Sequence, residues 1–116
     1  MAMTFHDRIF EISPDIRYVA TYRGDRLDRA EREGIADASS SESDRYEELL
    51  VNPALLTLVK QRGDIDCGGA EFIIVGYGKF LQLVIALPDG HVSIAFEKTA
   101  NPLAFVGAIQ AVFDRT

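Results

Sequence analysis

Between Ala70 and Phe113 three apolar runs alternate with two glycine-bearing turns and lead into a helix that opens at Asn101-Pro102. Little but an antiparallel meander closed by a helix satisfies that pattern. Phe72 to Val75 forms its first strand and Gly76-Tyr77-Gly78 turns the chain. Phe80 to Leu87 forms the second, Pro88-Asp89-Gly90 turns it again, and His91 to Glu97 forms the third. Phe72, Ile73, Ile74 and Val75 are apolar without alternation, so whichever two face outward forfeit about 1.5–3 kcal/mol each if left in water. Set against the roughly 5–15 kcal/mol that holds a whole domain together, a bare face is a poor solution. Both faces of this strand are expected to be covered, by a three-layer arrangement or by a partner. The closing helix, Pro102 to Phe113, is capped by Asn101-Pro102 and apolar nearly all round. Leu103, Val106 and Gly107 lie on one side and Phe105, Ile109 and Val112 on another. It is expected to lie buried across the sheet.

The first half of the chain supplies the remaining elements. Thr4 followed by Asp7 has capping-box spacing, and Phe5, Ile9 and Ile12 then share a helical face until Pro14. From Ile16 to Arg23 the residues alternate, with Ile16, Tyr18, Ala20 and Tyr22 on one side and Arg17, Thr21 and Arg23 mostly on the other, which reads as a half-buried strand. Gly24-Asp25 offers a turn, after which Arg26 to Arg32 returns as a highly charged strand, although Leu27 and Ala30 suit a helix equally. Gly34 to Ser43 reads as a loop, with Ser43 or Asp44 capping a helix that begins at Tyr46. Asn52-Pro53 reads as a break and restart: Asn52 caps, Pro53 takes the first helical position, Leu55, Leu56, Leu58 and Val59 follow, and Gly63 ends the helix.

A length of 116 residues corresponds to one domain, spanning 1–116, with a single layered core. The 12 Lys and Arg stand against 18 Asp and Glu, and a net charge of −6 opposes binding to a phosphate backbone, so nucleic acid is not an expected partner. The charge is uneven: between Gly24 and Glu48, Asp25, Asp28, Glu31, Glu33, Asp37, Glu42, Asp44, Glu47 and Glu48 outweigh Arg26, Arg29, Arg32 and Arg45. Electrostatic steering would originate there. Cys67 is the only cysteine and forms no internal disulfide, and no basic-then-apolar leader is evident, so a reducing cytoplasm is the expected setting. Even the run from Phe80 to Leu87 falls far short of the roughly 20 apolar residues that span a bilayer, and no membrane insertion is expected.

Several short patterns suggest chemistry and fail on their surroundings. Val75-Gly76-Tyr77-Gly78 spells the tail of a potassium-filter signature without flanking membrane helices, and Lys79 is followed by Phe80 where a phosphate loop needs Ser or Thr. Arg23-Gly24-Asp25 and Arg62-Gly63-Asp64 spell an adhesion tripeptide where turns are needed. Asp64-Ile65-Asp66 opens like a calcium loop but has Val75 at the twelfth position in place of Glu. His6 and His91 lack the spacing of a metal site, and Cys67 has no local acid–base partner. Ser39 to Asp44 is a serine run that could accept phosphate in an acidic setting, though helix capping and a mobile loop account for it. A different class of function rests on His91 and Ser93, which share a face of their strand with Ala95, and on Gln82 of the preceding strand. These polar groups among small side chains form a candidate ligand face for a small-molecule sensor. The preferred reading of the same residues is that small side chains there let a helix approach closely.

The order helix, two strands, helix, three strands, helix, at this length, resembles the roadblock/LC7 family, close in plan to longin and profilin-like domains. The likeness rests on the short helix followed by Ile16-Arg17-Tyr18-Val19-Ala20 and the Gly24-Asp25 turn, together with the late meander and terminal helix. It implies an α+β fold, a five-stranded antiparallel sheet with helices on both faces in the order α-β-β-α-β-β-β-α. It also implies a non-enzymatic homodimer that scaffolds or regulates a Ras-like small GTPase, a signalling protein or a motor complex, with no cofactor, metal or catalytic residue. The family pairs its third strand edge to edge and packs its second helix against its mate. Here that places a dimer interface on Phe72, Ile73, Ile74 and Val75 and on Tyr46, Leu49 and Leu50. A strand with neither charge nor proline to blunt its edge agrees with that placement. Two features depart from the family pattern: the Asn52-Pro53 break in a helix that is usually continuous, and the long charged segment from Arg26 to Ser43.

Overall fold

Five antiparallel strands, β1 (Ile16–Arg23), β2 (Arg26–Glu31), β3 (Phe72–Gly76), β4 (Phe80–Leu87) and β5 (Gly90–Glu97), form one sheet in the order β2-β1-β5-β4-β3. The computed structural model describes residues 4–36 and 38–114; Asp37, counted above among the acids, lies outside them. The helices are α1 (Phe5–Phe10), α2 (Ser41–Tyr46), α3 (Asn52–Asp66) and α4 (Val106–Asp114). A π-helical turn, Glu47–Val51, joins α2 to α3, and a 3-10 turn, Pro102–Phe105, precedes α4. Helices α1 and α4 cover one face, where Ile9, Val106 and Ile109 pack with Ile16, Val19, Leu83, Ile85, Val92, Ile94 and Phe96. The helical segment 41–66 lies on the other face, over Tyr18 and the His91–Ser93 side of β5. The expected α+β order with helices on both faces is the one observed.

The capping box forms as its spacing predicts: Asp7 N–H donates to Thr4 Oγ1 and Thr4 N–H to Asp7 Oδ2, both at 3.1 Å. The charged segment after Gly24 is a strand, paired with β1 from Arg23 opposite Arg26 to Tyr18 opposite Glu31. β1 is not half-buried. It is an inner strand between β2 and β5, and Ile16 to Thr21 are buried on both faces. Its alternation also breaks, because a bulge lets Ile16 face Phe96 while Tyr18 faces Ala95. The extra residue sends Ile16 to the same core as Val19, away from Tyr18 and Ala20. Arg32, beyond the end of β2, reaches back to clamp the α1–β1 connection: its guanidinium donates to the carbonyls of Ile16, Phe10 and Ser13 and lies over the Phe10 ring.

The second helical region differs from expectation at three points. It starts at Ser41, capped by Ser40, whose Oγ accepts from Ser43 N–H at 3.0 Å, and not at Tyr46. Asn52-Pro53 does not interrupt it. Proline lacks an N–H and crowds the carbonyl one turn back, and the wider π turn, in which Asn52 N–H reaches Glu47 O, carries the helix past that obstacle. Gly63 does not end it either; the helix runs on to Asp66, and Gly63 is buried where the chain returns toward β3. A Cβ there would stand 2.7 Å from the Gly69 carbonyl carbon and oxygen, so glycine permits the crossing.

Among the described residues β3 is an edge strand that pairs with β4 and no other strand, and its faces are only half-covered. The closing helix begins as a 3-10 turn, and Asn101 makes no side-chain cap bond. Of α4 only Val106 and Ile109 are buried, and Leu103 projects into solvent, so this segment covers the sheet with one stripe and is not buried all round.

Candidate functional site

The face of the sheet beneath the π turn is polar, and that determines how the long helix sits. Glu48 is fully buried. Its Oε2 accepts from the Tyr18 hydroxyl at 3.1 Å, and its Oε1 accepts from Asn52 Nδ2 at 2.9 Å and lies 2.8 Å from His91 Nε2. Asn52 Nδ2 also donates to Ser93 Oγ at 3.3 Å, and Gln82 Nε2 donates to the same oxygen. Burial, with the negative charges of Glu48 and Asp44 next, pushes the Tyr18 phenol far above its usual value and keeps it a donor. A buried carboxylate is tolerable only where its lone pairs are met, and here three side chains meet them. The extra residue of the π turn precedes Asn52, and Glu48 and Asn52, four apart, both point down at the sheet.

The three candidate ligand residues, Gln82, His91 and Ser93, are therefore brought together on one face, as their alternation predicts. They lie under the helix, hydrogen-bonded to it and to each other, and not on an open concave surface. Glu48, Asn52 and Tyr18 complete the cluster and are not singled out by sequence reasoning. The signal for the first two is a Glu and an Asn spaced i, i+4 within an apolar run; a cap-and-proline reading of Asn52-Pro53 obscures it.

The residues assigned to an interface lie on β3 and on the helical segment 41–66. Phe72, Ile73 and Val75 are half-buried on β3, and Ile74 is 38% exposed. Two contacts tie the helical segment to the residues that flank β3: Tyr77, just past its end, donates to Glu47, and Ala70, before its start, lies close to Gly63. On that helix Tyr46 and Leu50 are exposed and Leu49 is half-buried, with Leu58 and Ile65 also open to solvent at 63% and 74%.

Among the described residues no group of His, Cys, Asp and Glu converges as a metal site. Cys67 is exposed behind α3, within 3.4 Å of Asp66, while His91 belongs to the buried cluster. No helix of the described residues is long and apolar enough to cross a membrane.

No protein-family profile matches the sequence, and no curated protein matches it. A solved structure does. The crystal structure of MglC from Myxococcus xanthus covers 98% of this chain and 100% of its own, with a TM-score of 0.57 at 12% identity. MglC is a roadblock/LC7-family protein. This chain has the roadblock/LC7-like fold. At that identity the likeness is one of architecture, and it extends from the first helix to the last. In this roadblock-like frame the continuous helix 41–66 removes one of the two departures noted from sequence, because Pro53 is absorbed within it.

Proposed function

We propose that this chain is a non-enzymatic, homodimeric roadblock-type interaction domain that regulates or scaffolds a Ras-like small GTPase. The observation that carries the dimer is the bare apolar edge of β3. Among the described residues its outer backbone groups have no strand partner, no charge or proline protects it, and Ile74 is exposed on one side of it. The neighbouring helix exposes Tyr46, Leu50, Leu58, Val59 and Ile65. Burying such side chains against a second copy would stabilise the pair by about 1.5–3 kcal/mol for each one fully covered. Phe72, Ile73, Ile74 and Val75 would pair across the two-fold axis, and Tyr46, Leu49 and Leu50 would meet their mates. Regulation of a GTPase is the role that the roadblock/LC7 resemblance implies, and the fold shared with MglC supports it.

Light scattering after size exclusion tests the dimer: the wild-type chain should elute with twice its monomer mass and Ile74→Arg as a folded monomer. A wild-type monomer at about 100 μM would remove the reading's main support. Affinity capture from the native cell extract, with and without a GTP analogue, tests the second part. A small GTPase retained in one nucleotide state is expected; retention that ignores nucleotide, or no GTPase at all, argues against it.

A further inference from the structure

Between the start of the long helix and the β3–β4 turn lies an open groove of about 800 Å³, next to the proposed dimer face and sharing Tyr46 with it. Among the described residues that line it, Tyr46, Val51, Tyr77 and Phe80 provide apolar walls and Glu42, Asp44 and Glu47 bring three carboxylates, with Lys79 as the cation of the lining and with Arg29 near Asp44 and Arg17 over Phe80 just outside it. Among the described residues none of these carboxylates lies within ion-pair distance of an arginine, lysine or histidine. Glu47 instead receives the Tyr77 hydroxyl, 3.0 Å from both of its oxygens. We propose that this groove is a docking slot for an arginine side chain presented by a partner polypeptide.

The chemistry of the walls selects that occupant. A guanidinium is planar, weakly hydrated and able to lie on an aromatic face while donating in pairs to a carboxylate, which an ammonium does less well. Phe80 already carries one such contact, with the Arg17 guanidinium 5.9 Å from its ring centroid, and the Arg17 charge is taken up by Glu97 at 3.0 Å. The Glu47 carboxyl is held above its usual range by burial, with the charges of Glu48 and Asp44 adding to the effect against the Tyr77 hydrogen bond and His91. Burial raises Asp44 as well, with Glu31 and Glu48 acting in the same direction and Arg29 opposing. An entering cation relieves both. An anionic or purely apolar occupant would leave these charges desolvated and unpaired.

The test uses the full chain, labelled with ¹⁵N, and a synthetic peptide, acetyl-Gly-Leu-Arg-Leu-Arg-Gly-amide, with lysine and citrulline versions as comparators. Backbone amide shifts should move at Tyr46, Glu47 and Tyr77 to Phe80, with a dissociation constant on the order of 0.1–1 mM. The citrulline version should bind at least about tenfold more weakly and the lysine version in between. Asp44→Asn/Glu47→Gln should abolish the shifts with the rest of the spectrum unchanged. Lys79→Gln, which removes the competing cation, should tighten binding, a gain that misfolding does not produce. Equal binding of the citrulline peptide, shifts elsewhere on the surface, or no saturation would overturn the proposal. So would shifts at Tyr77 to Phe80 that follow protein concentration and not peptide, since a second copy would then fill the groove. Sedimentation of the same samples reads the dimer separately.

Discussion

His91 Nε2 lies 2.8 Å from Glu48 Oε1, and neither side chain reaches solvent. This contact, with those from Tyr18 and Asn52 to the same carboxylate, ties the π turn to the centre of the sheet. Glu48→Ala would leave three polar groups facing a void and should cost about 3–5 kcal/mol, whereas Glu48→Gln, which keeps an acceptor and the shape, should cost about 1–3 kcal/mol. Urea denaturation separates the two. A loss below about 0.5 kcal/mol for Glu48→Ala would show that the cluster does not anchor the helix.

Stability should respond to pH through the groove carboxylates. Burial raises Asp44 and Glu47 above the usual carboxylate range. The folded chain therefore keeps protons there that the unfolded chain has released. The stabilisation is complete below the ordinary carboxylate pKa and is lost as pH rises through the raised values. Asp44→Asn should accordingly melt at a higher temperature than wild type near neutrality, with the difference shrinking as pH falls toward about 4. A difference that grows on acidification would contradict this sign.

Gly63 and Gly78 separate propensity from packing. Gly63→Ala improves an intrinsically poor helix position by about 1 kcal/mol, but its Cβ would meet the Gly69 carbonyl group at 2.7 Å. Backbone has to move, and a net loss of about 1–3 kcal/mol is expected. Gly78→Ala meets nothing within 4 Å and should lie within about 0.5 kcal/mol of wild type. A stabilised Gly63→Ala in chemical denaturation would rule the crossing out.

Arg32→Lys should not be neutral, although charge and length are nearly kept. The guanidinium reaches the carbonyls of Ile16, Phe10 and Ser13 at 2.7, 2.9 and 3.1 Å and lies 4.9 Å from the Phe10 ring centroid. One ammonium cannot hold three carbonyls in that fork, and a loss of about 1–2 kcal/mol is expected, with faster hydrogen exchange in α1 as its local sign. Unchanged exchange at Ile9 and Phe10 would mean the clamp is idle.

Legibility varied with the range of the interaction. The first helix, the β1–β2 hairpin and the late meander were readable because capping boxes, Gly-Asp turns and strand alternation act between near neighbours. His91, Ser93 and Gln82 could be assigned to one face for the same reason. Their carboxylate partner could not: Glu48 reads as one more acid in an acidic stretch until the helix places it over β1 and β5. The start of that helix was misplaced because Ser40, Ser43 and Asp44 are all competent caps, and only Ser40 receives the bond.

By itself the sequence determined the order of elements, the antiparallel meander and the one apolar strand that lacks protection, since those rest on turn chemistry and on the period of local hydrophobic pattern. The tertiary structure decided the rest. It set β1 beside β5, which exiled β3 to an edge and enclosed a strand that alternation alone reads as half-exposed. It also carried the helix past Pro53 and buried Glu48, because a π turn is affordable only where contacts from a distant strand hold it. Local pattern reports which side chains share a face; which face is covered, and by what, depends on segments that meet only after the chain has folded.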